Sequence, residues 1–180
     1  MAFEVSTALP KGTLIANDAV TVSPAIFEAI PFEAPGSIVG ARGGAIGWGI
    51  GGTLGLKLAQ PDHPVVGFIG DGSAMMTVQG LWTAAIENLA VVYIICNNGA
   101  YRILKINMDH YTDNILGNPV KKSSYIGMDF PQRLNLAALA EAQGVYGRRI
   151  EDPKELAPAV QKAFDLGRPA LLDVIIDGSI

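Results

Sequence analysis

Two apolar runs, Val65–Ile69 and Val91–Cys96, each stop abruptly in a small polar cluster: Gly70-Asp71-Gly72-Ser73 after the first, Asn97-Asn98-Gly99 after the second. Near-continuous apolar runs of this length read as strands buried on both faces, the condition of a parallel sheet. Val78–Asn88 lies between them with helical character, so the stretch predicts a βαβ unit. Both polar clusters then fall where neighbouring strands end. That is the ligand-bearing edge of an open α/β sheet.

The same alternation runs through the rest of the chain. Further strands are expected at Thr13–Ala16, Ser37–Gly40, Val145–Ile150 and Ala170–Ile176, and further helices at Ser23–Ile30, Ile46–Ala59, Tyr101–His110, Leu134–Ala142 and Pro153–Leu166. Pro24 and Pro153 follow Ser23 and Asp152 and suit a first helical turn. The expected fold class is α/β: one three-layer α/β/α domain over residues 1–180, with a doubly wound, mostly parallel sheet. Residues 111–133 show weak periodicity with scattered Gly, Pro, Ser and Asn, and read equally as a lid or as a plain connector.

Hydrophobic residues make up 49% of the chain and charged ones only 17%, which suggests burial against partners, as in a homo-oligomer. The net charge of −4 argues against a nucleic-acid surface. Lys121-Lys122 and Arg148-Arg149 are the basic pairs of note, and both read as solvated surface. The uncharged run from Gly43 to Leu56 is too short and too glycine-rich for a membrane span. No basic-then-apolar leader opens the chain, so the cytoplasm is the expected location. Cys96 is the single cysteine and reads as a small buried core residue.

The strand-end clusters carry the chemistry. Asp71 offers a negative oxygen and Asn98 a neutral one, side by side at the sheet edge. A backbone carbonyl just past Asn98, that of Ala100, completes a set of hard oxygen donors suited to magnesium. Gly70 and Gly72 let the backbone approach a ligand, and Ser73, Ala74 and Met75 begin a helical stretch whose free N–H groups suit anionic oxygens. Taken together, the two motifs predict a magnesium ion holding a diphosphate.

A competing fingerprint is present. Gly47-Trp48-Gly49-Ile50-Gly51-Gly52 satisfies G-x-G-x-x-G, with Asp71 near the distance expected of a ribose-binding acid. A dinucleotide site does not account for the acid between two glycines or for Asn97-Asn98 one strand later.

Gly70-Asp71-Gly72 followed at this spacing by Asn97-Asn98 resembles the thiamine-diphosphate motif of the 2-oxo acid decarboxylase and acetolactate synthase superfamily. The resemblance covers nearly the whole chain, as that family's carboxyl-terminal, diphosphate-binding domain. Local likeness is greatest to the benzoylformate decarboxylase branch, through Gly70-Asp71-Gly72-Ser73-Ala74, Leu81-Trp82-Thr83-Ala84-Ala85 and Asn97-Asn98-Gly99-x-Tyr101. The resemblance implies that Asp71, Asn98 and the Ala100 carbonyl hold the metal, and that Ser73 and Ala74 contact the diphosphate. Gly43 to Gly49 is similar to the family's glycine-rich loop. That likeness implies an apolar prop at Ile46, where most relatives have Leu or Met, and a carbonyl at Gly44 facing the aminopyrimidine. Asn17 to Thr21 falls where the family places further diphosphate contacts, with Thr21 the hydroxyl donor. Tyr101 and Leu104 border the substrate pocket in relatives, whereas Arg102 and Asn107 depart from the benzoylformate decarboxylase pattern.

In relatives an activating glutamate comes from a separate pyrimidine-binding domain. Glu28, Glu33, Glu87 and Glu141 match no such motif, so the chain alone is expected to be inactive and to need that domain as a partner. A small 2-oxo acid is the implied substrate, with decarboxylation or carboligation as the outcome. A non-catalytic thiamine-diphosphate sensor or assembly module is the alternative of another class. His63 and His110 read as structural rather than catalytic.

Overall fold

The computed structural model describes residues 1–32, 34–117 and 125–179, with the backbone alone for Arg42. Glu33, Lys121 and Lys122, and residues 118–124 of the expected lid or connector, lie outside the described residues.

Six strands pair in parallel in the order β2-β1-β3-β4-β6-β5. They are β1 (Leu14–Asp18), β2 (Ile38–Gly40), β3 (Val65–Gly70), β4 (Val92–Asn97), β5 (Tyr146–Ile150) and β6 (Ala170–Ile175). The central strands β3 and β4 are buried almost throughout, because helices cover both faces and no side chain can turn to water. Alternate residues of each strand serve opposite faces. On one face Val66, Phe68, Ile94 and Leu172 pack against α1 (Ala2–Ala8), α2 (Ser23–Ala29) and α8 (Leu156–Asp165). On the other, Val65, Ile69, Tyr93 and Ile95 pack against α3 (Gly49–Ala59), α4 (Asp71–Met76), α5 (Gly80–Ile86) and α7 (Leu136–Ala142). This is the expected three-layer α/β fold.

The chain leaves β1 outward to the edge strand β2, then crosses back over β1 to β3. The reversal opens a crevice between the carboxyl ends of β1 and β3, the switch point of a doubly wound sheet.

Several boundaries differ from expectation. Strand β1 extends through Asn17 and Asp18, whose polar side chains had the look of a loop. The expected helix at Val78–Asn88 is α5, shortened to Gly80–Ile86, and the helical stretch expected from Ser73 is α4, which starts two residues earlier at Asp71, directly from β3. Helix α3 starts at Gly49 rather than Ile46, because Gly47 has a φ of 92°, outside the helical region. Helix α6 (Arg102–His110) continues as a π turn through Ile115. Helix α1 carries no signal strong enough to predict it, being stabilised by its burial of Ala2, Val5 and Ala8 against the sheet-covering layer.

Candidate functional site

In the parallel register Gly70 lies opposite Cys96, so Asp71 and Asn97 leave the sheet at the same level. The two loops touch directly. The Gly99 amide donates to Asp71 Oδ2 at 2.7 Å and the Gly72 amide to Oδ1 at 2.9 Å. Gly99 has a φ of 69°, a conformation that L side chains rarely adopt. Asp71 is only 3% exposed and has no ion-pair partner among the described residues. Burial raises its pKa above the ordinary value, opposed by the Gly99 and Gly72 amides and by the nearby Arg133 guanidinium.

Asn97 and Asn98 have separate roles. Asn97 is fully buried and donates through Nδ2 to Asp173 Oδ1 at 2.8 Å and to the Leu134 carbonyl at 3.0 Å. Asp173 is in turn paired with Arg149. Arg149 therefore serves this buried network rather than a purely solvated surface. Asn98 is half-buried, and its Oδ1 accepts from the Ala100 amide at 2.9 Å, an Asx turn that leaves a lone pair of that oxygen free.

An open cleft brings together Thr21, Ile46, Asp71, Gly72, Ser73, Asn98, Ala100 and Tyr101. Two of the expected site residues lie outside its lining. Gly44 sits in the exposed 3-10 turn Arg42–Gly44, and Ala74, on α4, turns its side chain into the core.

Sequence reasoning did not single out Asp18, which the structure puts beneath the cleft floor's glycine loop. Its carboxylate is 4% exposed, and Oδ2 accepts from the Gly47 amide at 3.0 Å, the Gly49 amide at 2.9 Å and Ser73 Oγ at 2.6 Å. Ser73 Oγ also accepts from the Gly47 amide at 2.8 Å. The Ser73 hydroxyl proton is thus committed to Asp18, which leaves its backbone as the group free to meet a ligand. The polar end of β1 was the only signal.

The same contacts explain the G-x-G-x-x-G pattern. Gly47 and Gly49 turn their amides onto a side-chain carboxylate, and a Cβ at Gly49 would stand 2.7 Å from that of Asp18. A Cβ at Gly52 would stand 2.1 Å from the Trp48 ring. Strand β1 also separates β2 from β3, so Asp71 is not on the strand adjoining β2 that the dinucleotide pattern requires. The glycines serve close packing.

Residues 125–130 pair with the Gly99–Tyr101 segment. Tyr101 donates its amide to the Met128 carbonyl at 2.8 Å, and Phe130 donates to the Gly99 carbonyl at 2.9 Å. This short antiparallel bridge spans Ala100 and Asp129, and its bonds belong to the flanking residues, so the Ala100 carbonyl stays outside the ladder. The Tyr101 and Phe130 rings meet edge-to-face, 4.9 Å between centroids, above Gly72. Arg102 lines the cleft and donates through Nε to the Ser179 carbonyl.

The donor set is a buried carboxylate with no ion pair among the described residues, a carboxamide oxygen with a free lone pair and a carbonyl outside the sheet ladder. These hard oxygens fit magnesium, which takes few protein ligands when phosphate oxygens and water supply the rest. A search of protein families matches residues 19–174 to the carboxyl-terminal TPP-binding domain of thiamine pyrophosphate enzymes. The chain belongs to that family. It is 34% identical over 172 residues to a Mycobacterium tuberculosis protein provisionally named an acetolactate synthase large subunit, covering 96% of this chain and 33% of the relative. It is 31% identical over 173 residues to benzoylformate decarboxylase of Pseudomonas aeruginosa, covering 96% of this chain and 31% of that enzyme. The solved thiamine diphosphate-dependent 4-hydroxybenzoylformate decarboxylase of Rhodococcus jostii superimposes with a TM-score of 0.85 at 29% identity, covering 99% of this chain and 32% of that one. This thiamine pyrophosphate-binding domain spans about a third of the length of those relatives.

Proposed function

We propose that the chain binds the diphosphate end of thiamine diphosphate through a magnesium ion held by Asp71, Asn98 and the Ala100 carbonyl, within an enzyme that decarboxylates a 2-oxo acid. The 2.7 Å bond from the Gly99 amide to Asp71 Oδ2 carries this reading, because it joins the two strand-end motifs at one cleft. Thr21 and the amides at the start of α4 are the groups that would meet the diphosphate oxygens. Ser73 would act through its backbone, since its hydroxyl already serves Asp18. Ile46, 38% exposed on the cleft, is the apolar prop for the bent cofactor, and the Gly44 carbonyl, outside the cleft lining, would face the aminopyrimidine. Tyr101 lines the cleft and is braced from behind by the Phe130 ring.

When bound, thiamine diphosphate supplies an electron sink for the pair left behind as a 2-oxo acid loses carbon dioxide. The residues named above bind and orient it. The activating glutamate would come from a pyrimidine-binding domain, in an oligomeric assembly that covers apolar surface such as Trp82 and Ile86, 59% and 63% exposed. A carboligating, acetolactate synthase-like reaction is the second reading, favoured by the 34% identity to a relative of that name.

The test mixes the chain with a pyrimidine-binding domain, thiamine diphosphate and magnesium, then offers benzoylformate and pyruvate. Carbon dioxide and an aldehyde support the first reading, and acetolactate the second. Cofactor binding without turnover of either points to a sensor or assembly module. No magnesium-dependent cofactor binding overturns the proposal.

A further inference from the structure

Among the described residues, the side chain that bonds the carbonyls of the loop carrying Asn98 is an arginine from the far end of the 111–133 segment. Arg133 Nη1 donates to the Asn97 carbonyl at 3.0 Å and to the Ile176 carbonyl at 3.3 Å, while Nη2 faces the Asn98 carbonyl at 3.5 Å. The Ile176 amide returns a 3.0 Å bond to the same Asn97 carbonyl, so the end of β4 and the chain beyond β6 close around one guanidinium. The planar fork of donors suits this job, because one rigid group can meet several carbonyls at once. The guanidinium also packs close to Gly99, where a Cβ would stand 3.2 Å from Nε. Gly99 is the residue whose amide reaches Asp71.

We propose that Arg133 is a positioning residue for the cation site, clamping the Asn97 and Asn98 carbonyls so that Asn98 Oδ1 and the Gly99 amide keep their places relative to Asp71. This rests on the magnesium reading given above. Among the described residues Arg133 makes no hydrogen bond to Asp71 or to the Asn98 side chain; its bonds go to the backbone that carries Asn98, and its charge near Asp71, which would repel a cation, is kept in Arg133→Lys. Groups that orient metal ligands in this way change metal affinity by about tenfold to a hundredfold when removed. A lysine keeps the charge but presents a single point of donation, so it replaces only part of the clamp.

The experiment titrates magnesium into the full chain at a fixed thiamine diphosphate concentration and reads the magnesium midpoint by calorimetry. Native protein, Arg133→Ala, Arg133→Lys and Asp71→Ala are compared, with thermal melting of each. Arg133→Ala is expected to raise the midpoint about tenfold or more, Arg133→Lys to fall between it and native, and Asp71→Ala to abolish the magnesium response. A midpoint for Arg133→Ala within twofold of native, beside a silent Asp71→Ala, overturns the positioning role and leaves the site intact. A native response from Asp71→Ala overturns the underlying site instead. If Arg133→Ala does not fold, Arg133→Lys decides: a raised midpoint with native melting supports the clamp, and an unchanged one removes it.

Discussion

Asp18 and Ser73, far apart in sequence, share a 2.6 Å hydrogen bond across the switch point of the sheet, with Asp18 Oδ2 as the acceptor. The same oxygen takes the amides of Gly47 and Gly49, so one buried carboxylate joins the end of β1, the glycine loop and the first turn of α4. Asp18→Ala leaves these buried donors without their acceptor, at a cost of about 1–3 kcal/mol. Urea denaturation is expected to show that loss, with Asp18→Asn intermediate because the amide brings an N–H group against other donors. Native stability in Asp18→Ala would show that the loop stands without this anchor.

Gly72 has room for no side chain. A Cβ there would stand 2.8 Å from the Tyr101 ring and 3.6 Å from that of Phe130. Gly72→Ala therefore forces the edge-to-face pair to move, an overpacking that costs about 1–3 kcal/mol. The cost is expected to shrink in a Tyr101→Ala background, where the obstructing ring is gone. Equal costs in both backgrounds, read from a double-mutant cycle, would contradict the contact.

Lys105 is 7% exposed and its ammonium is paired with Asp129, whose side chain is 67% exposed. Removing the acid leaves a buried cation with the Tyr125 ring, 5.5 Å away, as its remaining partner among the described residues, whereas removing the lysine leaves only a solvated carboxylate. Asp129→Ala is expected to destabilise the chain by about 1–2 kcal/mol, with Lys105→Met costing less because its apolar stem still fills the site. The reverse order, measured by thermal melting, would show that the bridge of residues 125–130 to the cation loop does not depend on this pair.

Burial pushes the Cys96 thiol up from its ordinary value of 9.0 to about 12, with the Asp71 carboxylate adding to the effect. The folded chain holds this proton more tightly than the unfolded chain. The stability it contributes is fully present below about pH 9 and is lost as the pH rises to about 12. The stability difference between native and Cys96→Ala, followed by denaturation against pH, is expected to stay level below the lower value and to narrow above it. A difference that widens with rising pH would place the thiol in a site that favours its anion.

The strands were legible because a strand buried on both faces needs a run of apolar residues, and Val65–Ile69 and Val91–Cys96 are such runs. Asp71 and Asn98 were legible because those runs end in them. Asp18 was not, since a polar residue closing a strand looks like the loop that follows it. Helix α4 begins with Asp-Gly, weak helix formers, and its place is set by tertiary packing of Ala74 into the core. The Asn97-Asn98 pair reads as one motif, yet Asn97 is bonded to Asp173 inside the fold while Asn98 lines the cleft. Neighbouring residues at a strand end face opposite ways, and only the register shows which one faces the ligand edge. Arg133 had no spacing to mark it, because its partners are backbone carbonyls brought near by the fold.

The most direct measurement is calorimetry of thiamine diphosphate binding to the native chain and to Asp71→Ala, with magnesium and then with a chelator in its place. Binding is expected only for the native chain with magnesium, while Asp71→Ala keeps its fold by circular dichroism. Equal binding by Asp71→Ala, or binding by the native chain that is indifferent to magnesium, would contradict the account.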